Sequence, residues 1–348
     1  MNNMLISVLA FFCYVHNSNA LQCRDEENNP VDWYVLYKIP KLKQQNLLIE
    51  QGSAYIYLAS NHYGSWQISN KSINNTNSII GNTLQNLYSS KNDVLYILYN
   101  DEPPNENKNS NKGHTKGVVM ADMTGGFWVV HSVPNFPEMG SSYAYPENGV
   151  VYGQSFLCIS MDLKNLNKVG IQLQYNQPEI YGENVPSNLK SLVPNLAKAA
   201  ANVTVDSAPW YHITNLYSKS GVQFTSFAKS KQFCKDLYED LVAPYLESDL
   251  VVETWPNGPG RLPSDCKKLF KVNNVESINI PVAEVSFKAT HDHSKWSVTS
   301  TSSKKYWTCI GDINRAAHQE VRGGGTVCLN NEVLTKNYQT IVETIEKC

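Results

Sequence analysis

The feature that constrains this chain most is an internal repeat. His-x-Lys occurs at only two places, His114-Thr115-Lys116 and His293-Ser294-Lys295. Each is followed at the same spacing by a Trp and then an Asn, so that H-x-K-x11-W-x6-N fits Trp128 and Asn135 in the first half and Trp307 and Asn314 in the second. The tripeptides alone are weak evidence in a chain with abundant Lys. The matched Trp carries more, because only 7 occur in 348 residues. Self-similarity of this kind marks duplicated structural units, and the expectation is two pseudo-symmetric lobes.

Local patterns say what each lobe is made of. Residues 31–37 and 93–99 are rich in β-branched and aromatic residues and read as strands. Residues 61–92 are polar and read as loop-rich, and 100–113, without an apolar side chain, read as a solvated loop that delivers the chain to His114. Phe233, Leu237, Leu241 and Tyr245 recur every four residues, which predicts a helix with one buried stripe; Val333, Leu334, Tyr338, Ile341, Val342 and Ile345 predict a second at the C-terminal end. Residues 117–121 and 127–131 flank a Gly-containing turn and read as a hairpin. The fold class is α/β, mixed α+β, with a central mixed sheet flanked by helices in each lobe. The lobes are expected at 21–190 and 191–348.

The chemistry follows from where a strand puts His-x-Lys. Side chains alternate with period two, so His114 and Lys116 share a face, as do His293 and Lys295. An imidazole beside a fixed ammonium is a poor site for a divalent cation and a good one for a phosphate, and the expectation is no metal and no cofactor. His291-Asp292-His293 has the spacing of a strand-borne metal pair, but Lys295 on the same face argues against it. Two such units facing one another would put a His on each side of a phosphodiester, one to attack phosphorus and one to protonate the leaving oxygen.

Residues 1–20 carry no charged side chain, hold an apolar run over 4–15 and end in Ser18-Asn19-Ala20, the pattern of a cleaved signal peptide. That run is too short to span a bilayer and no later stretch is long and apolar enough, so no membrane insertion is expected. Sequons stand at Asn70, Asn74 and Asn202. Of 8 Cys, the seven after the signal are scattered without a Cys-x-x-Cys pair, which fits disulfides with one thiol left over. Cys234 sits at the margin of the first helical stripe and is expected free, able to link a homodimer or lie inert in a monomer. The net charge of -2 gives no basic stripe for a neutral-pH DNA binder. Protonating the seven remaining His would carry the charge to about +5 in acid.

Long ordered blocks, PVDWYVLYKIP, LYNDEPP, GHTKGV, GGFWVVHSVPNFP, YGQSFLC, FAKSKQF, DHSKW, WTCIGDINR and RGGGTVC, give the chain from Leu21 to Cys348 a close resemblance to the deoxyribonuclease II family. That resemblance implies a two-lobed fold similar to the phospholipase D superfamily, DNA as substrate, action in acid without a metal, and 3'-phosphate products through a phosphohistidine. It implies His114, Lys116, His293 and Lys295 as catalytic, with His131 near the site. Asn135 and Asn314 are candidates for touching phosphate. It also implies the pairs Cys23–Cys158, Cys266–Cys348 and Cys309–Cys328, with Cys234 unpaired; the signal segment points to a secreted or lysosomal location.

The superfamily's His-x-Lys-x4-Asp spacing is not kept. Ala121 stands where the Asp would be, Asp122 is one residue late, and Ser300 is the second-lobe counterpart. The alternative to an enzyme is a secreted binding protein that keeps the fold without catalysis, and both intact motifs favour the enzyme. Trp128 and Trp307 read as lobe core. Arg322-Gly323-Gly324-Gly325 reads as a turn or an anion-binding loop.

Overall fold

The computed structural model describes residues 20–89 and 93–347; the expected signal segment, apart from Ala20, and Cys348 lie outside the described residues. In chain order the strands are β1 Cys23–Arg24, β2 Pro30–Val31, β3 Trp33–Lys38, β4 Tyr55–Ala59, β5 His62–Ile68, β6 Leu95–Asn100, β7 Lys116–Asp122, β8 Gly125–His131, β9 Gln154–Met161 and β10 Ile180–Asn184. They continue as β11 Tyr211–Tyr217, β12 Gln223–Lys229, β13 Leu250–Glu253, β14 Val272–Ile280, β15 Val285–Lys288, β16 Trp296–Thr299, β17 Trp307–Gly311, β18 Gly324–Asn330 and β19 Val342–Ile345.

Two large sheets result. The first runs β10-β6-β7-β8-β9-β3-β4-β5 and is antiparallel throughout. The second runs β11-β12-β18-β17-β16-β13-β14-β15, with β19 also on β14, and is mixed through one parallel pair, β13 with β14. A five-strand unit repeats: β6-β7-β8-β9-β3 and β13-β16-β17-β18-β12 have the same order, the same antiparallel sense and the same succession along the chain. Each ends in a helix, Leu163–Asn176 after β9 and Glu332–Ile341 after β18. The chain passes from one sheet to the other between Asn184 and Tyr211.

One core fills the space between the sheets. It joins Val119, Trp128 and Ile159 of the first to Trp296, Val298 and Ile310 of the second, with Leu166, Val169, Leu334 and Tyr338 from the two helices. Tyr338 packs its ring 5.0 Å from Trp66 and 5.2 Å from Trp296, one from each lobe. Because the first sheet is covered on both faces, strands such as β3 and β9 are buried at every residue and lack polar alternation. The lobes thus share a core and are halves of one folding unit rather than beads on a linker.

The register refines the sequence repeat. On β7 and β8, Val119 pairs with Trp128; on the equivalent β16 and β17, Val298 pairs with Thr308, one residue beyond Trp307. A slip of one reverses the face. Trp128 accordingly lies in the core between the sheets, donating its Nε1–H to Tyr99 Oη at 2.9 Å, while Trp307 packs on the outer face of the second sheet. The repeated unit is real, but the two Trp do not occupy equivalent places.

Other expectations change. Residues 61–92 hold β5 and a helix Ile79–Leu84, which Ser78 caps by accepting from the Gly81 N–H; β5 is a polar edge strand and shows no apolar run. The helix expected from Phe233 begins later, because Cys234 adopts a left-handed φ of 55°; it follows as a π-helical turn Tyr238–Val242 and a short α-helix Ala243–Leu246. The last helix stops at Ile341, and 342–345 pair as β19 instead of continuing it. Gly324 and Gly325 are strand residues of β18 rather than a turn.

Cys23–Cys158 and Cys309–Cys328 are disulfides, the second joining directly paired residues of β17 and β18. Cys266 is also disulfide-bonded, and its expected partner Cys348 lies outside the described residues. Cys234 is free and exposed. Alkylation of the folded protein is expected to label Cys234 alone, read by peptide mass; modification at any of the six others would overturn the pairing. Asn70, Asn74 and Asn202 are all exposed, as glycan acceptors must be. No helix among the described residues is long and apolar enough to cross a membrane.

Candidate active site

The two His-x-Lys motifs lie at equivalent strand starts, Lys116 opening β7 and Lys295 just before β16. His114 and His293 line the same cleft of about 990 Å³, with Gln154, Asn314, Gln319 and Arg322. Each His is held by the lobe it does not belong to. The His114 N–H donates to Gly323 O at 2.8 Å, and its Nδ1 lies 2.7 Å from Gln319 Oε1. The His293 N–H donates to Gly153 O at 2.9 Å, and its Nδ1 lies 3.0 Å from Ser132 O and 3.3 Å from Gln154 Oε1. Carbonyl oxygens only accept, so each Nδ1 carries the hydrogen and each Nε2 keeps the lone pair of the neutral ring. His114 Nε2 has no hydrogen-bond partner.

The approach to His114 depends on two glycines. The carbonyl of Asn176, last residue of the helix after β9, would lie 1.8 Å from a Cβ on Gly113 and 2.2 Å from one on Gly323. Any side chain at either position would push the helix end out from under the His. On the other side a Cβ on Gly153 would meet Asp292 Oδ1 at 2.3 Å.

Neither Lys reaches the cleft wall. Lys116 is fully buried and pairs with Asp101, which also takes Arg322 Nη2 at 3.0 Å and lies 3.9 Å from His114 Nε2. Burial alone would raise the Asp101 carboxyl, but Lys116, His114 and Arg322 outweigh it and hold it well below the carboxylate range. Lys295 is fully buried too, with Nζ 3.1 Å from His293 Nδ1; burial, then Lys116, push it well down despite Asp292 and Asp101. Burial lowers both histidines as well. Lys116, Arg322 and Lys295 add to this at His114 against Asp101, and Lys295, Lys116 and His114 add to it at His293. Burial pushes Asp312, which accepts from the Gly325 N–H, up to about 7.

The two half-sites differ beside their histidines. Asp101 follows β6; after the equivalent β13 comes Trp255, whose ring stands edge-on to His293 at 5.2 Å. A carboxylate attends one imidazole and an indole the other.

The remaining candidates divide. Asn314 is nearly buried at the cleft, and its Oδ1 has no partner. Asn135 instead spends its amide on the carbonyls of Glu102 and Pro103 and accepts from Asn148, with a left-handed φ of 55°. His131 is buried between Phe136 and Phe156, its Nδ1 accepting from the Val133 N–H at 3.2 Å, and it does not line the cleft. Burial and Lys116 lower its imidazole. Asp101, Gln154 and Gln319 were not singled out from the sequence. Among the described residues no three His, Cys, Asp or Glu side chains converge as a metal site requires.

Comparison with known proteins decides the family. The deoxyribonuclease II family profile matches residues 22–348. The chain belongs to the deoxyribonuclease II family. This deoxyribonuclease II chain is 40% identical over 340 residues to plancitoxin-1 of Acanthaster planci, covering 96% of this chain and 94% of that protein. It is 37% identical to deoxyribonuclease-2 of Caenorhabditis elegans over 94% of each chain, and 38% identical to deoxyribonuclease-2-alpha of Sus scrofa over 94% of this chain and 91% of that one. The family is one of DNA-degrading hydrolases, and the two-lobed mixed fold agrees with it.

Proposed function

We propose that this deoxyribonuclease II protein is an acid endonuclease that needs no divalent metal and cuts DNA through a phosphohistidine on His114. The observation that carries the reading is the pair of imidazoles on one cleft, each anchored through Nδ1 from the opposite lobe so that Nε2 is the free nitrogen. His114 Nε2 attacks phosphorus while the P–O5' bond breaks, and the proton on His293 Nε2 goes to the departing O5'. A water then gives its proton to His293 and its oxygen to phosphorus, which frees His114 and leaves a 3'-phosphate and a 5'-hydroxyl.

The asymmetry of the half-sites supports these roles. Attack makes the His114 ring cationic, and Asp101 lies 3.9 Å from Nε2 to favour that charge. His293 has Lys295 beside it and an indole edge where His114 has its carboxylate, so it parts with a proton readily. Asn314 and Arg322, which line the cleft, suit the phosphate oxygens; Lys116 and Lys295, fully buried, support from within the site. The surroundings of His131 and Asn135 fit supporting roles.

Acid follows from the same groups. Burial and the neighbouring lysines keep His293 well below its ordinary value, so the donor carries its proton only as pH falls. An acidic extracellular or lysosomal compartment suits this chemistry, and the disulfides suit it too. Nicking of supercoiled plasmid is expected to peak near pH 5, to persist in excess chelator and to leave 3'-phosphate ends. A strict magnesium requirement, or an optimum above pH 7, would sink the reading.

A further inference from the structure

Two glutamines repeat the pseudo-symmetry of the site. Gln319 is 3% exposed and meets His114 Nδ1 at 2.7 Å; Gln154 is 1% exposed and meets His293 Nδ1 at 3.3 Å. Each comes from the lobe opposite its His, and each lies near the glycine whose carbonyl accepts that His backbone N–H, Gln154 next to Gly153 and Gln319 shortly before Gly323. Their remaining contacts accommodate amides that face this way. Gln319 Nε2 lies 2.7 Å from His318 Nε2, and Gln154 Oε1 also takes the Ser132 hydroxyl at 2.5 Å. Both oxygens face the imidazoles.

An amide oxygen and a carboxylate oxygen hold an imidazole N–H with similar geometry but differ in charge. A carboxylate in contact with an imidazole favours the imidazolium by one to three pH units; an amide gives the same orientation without that bias. The other charges cannot replace it. His114 faces Asp101, Lys116, Arg322 and Lys295, and Asp101 is already shared between Lys116 and Arg322. His293 faces Lys295, Lys116 and His114. Glu102, Lys108, Lys231 and His318 stand around the cleft. The charges acting on His293 are cationic, and at His114 three cations oppose Asp101.

We propose that Gln319 and Gln154 are positioning residues, each orienting the histidine of the opposite lobe with Nε2 toward the cleft, and that their neutrality, in seats a carboxylate would fit, confines the reaction to acid. This rests on the two-histidine mechanism above and adds a prediction for each limb of the pH profile. The nucleophile His114 must be neutral and the donor His293 charged, so the titration of each ring sets one limb of kcat/KM.

The test is the pH profile of Gln319→Glu and Gln154→Glu on a short duplex, together with NMR titration of the His114 and His293 rings in the DNA-free proteins. Q154E is expected to raise the His293 titration and Q319E the His114 titration by about one to two pH units, each carrying one limb of the profile upward by a similar amount. Gln154→Met and Gln319→Met remove the acceptor without adding charge; they are expected to lower kcat and leave both limbs in place. They also keep the proposal testable if a Glu variant fails to fold. Limbs and ring titrations that stay within 0.3 unit of wild type in both Glu variants, or Met variants with unchanged kcat, would overturn the proposal. The ring titrations do not depend on turnover, so they decide the effect of the glutamines even if the protein proves to cut DNA best at neutral pH.

Discussion

Replacing His114 by Ala is expected to lower kcat by about 10⁴-fold or more, replacing His293 by Ala to do much the same, and the double variant to be no worse than the poorer single. Groups that act in one step are not additive, because the second loss removes help from a step that no longer occurs. The two rings share a cleft although they come from different lobes, so a shared step is what the geometry supports. DNA binding, read by fluorescence anisotropy, is expected to survive in all three variants, since Arg322, Lys108, Lys231 and Asn314 still line the cleft. A substrate with sulfur in place of the bridging 5'-oxygen separates the roles. A thiolate leaves without a proton, so such a substrate should restore cleavage to His293→Ala and not to His114→Ala. Rescue of the His114 variant instead would exchange nucleophile and acid. More than a hundredth of wild-type activity in either single variant on ordinary DNA would remove the two-histidine mechanism.

The sequence made the two candidate histidines legible and their supports illegible, for a physical reason. His-x-Lys is a local pattern, set in each lobe just where a strand begins, and it survives in the sequence as a short string. What anchors each His comes from the other lobe: Gln319 and Gly323 for His114, Ser132, Gly153 and Gln154 for His293. Such contacts leave no periodicity. The superfamily spacing places a carboxylate five residues beyond Lys116, where Ala121 stands, with Asp122 next. The carboxylate beside His114 is Asp101, set there by the end of β6 pairing Asn100 with Lys116. The block LYNDEPP contained it, but a strand followed by a polar loop gives no sign of which acid turns inward. The repeat located the duplicated unit correctly while its Trp match misled, because a loop of different length between β16 and β17 moves the register by one. At the C-terminal helical stripe, spacing alone could not show that 342–345 leave the helix to pair with β14.

Asp101→Ala is expected to destabilise the fold by about 3–5 kcal/mol, the cost of leaving buried cations without their counter-ion. Asp101 and Lys116 are fully inaccessible and Arg322 nearly so, so solvent cannot screen what the substitution exposes. The loss should persist in acid, and the sign can be worked out. A carboxyl held below its unfolded value of about 3.9 contributes stability that is complete above that pH and is lost only as pH falls through the lower, folded value. Because Lys116, His114 and Arg322 hold Asp101 well down against burial, its contribution is intact at pH 5 as at pH 7. Wild type itself feels other titrations in that range. His114, His131 and His293, lowered by burial, remove stability as pH falls through about 6.5, while the raised carboxyls of Asp236, Glu253 and Asp292 return some as pH falls toward their unfolded values. The quantity to measure is therefore the gap between wild type and Asp101→Ala in urea unfolding at both pH values. It is expected to agree at the two within about 1 kcal/mol. A gap that closes by pH 5 would mean that Asp101 is already protonated there, and the ion pairs that seat Lys116 and Arg322 would not exist under the conditions in which the enzyme is proposed to work.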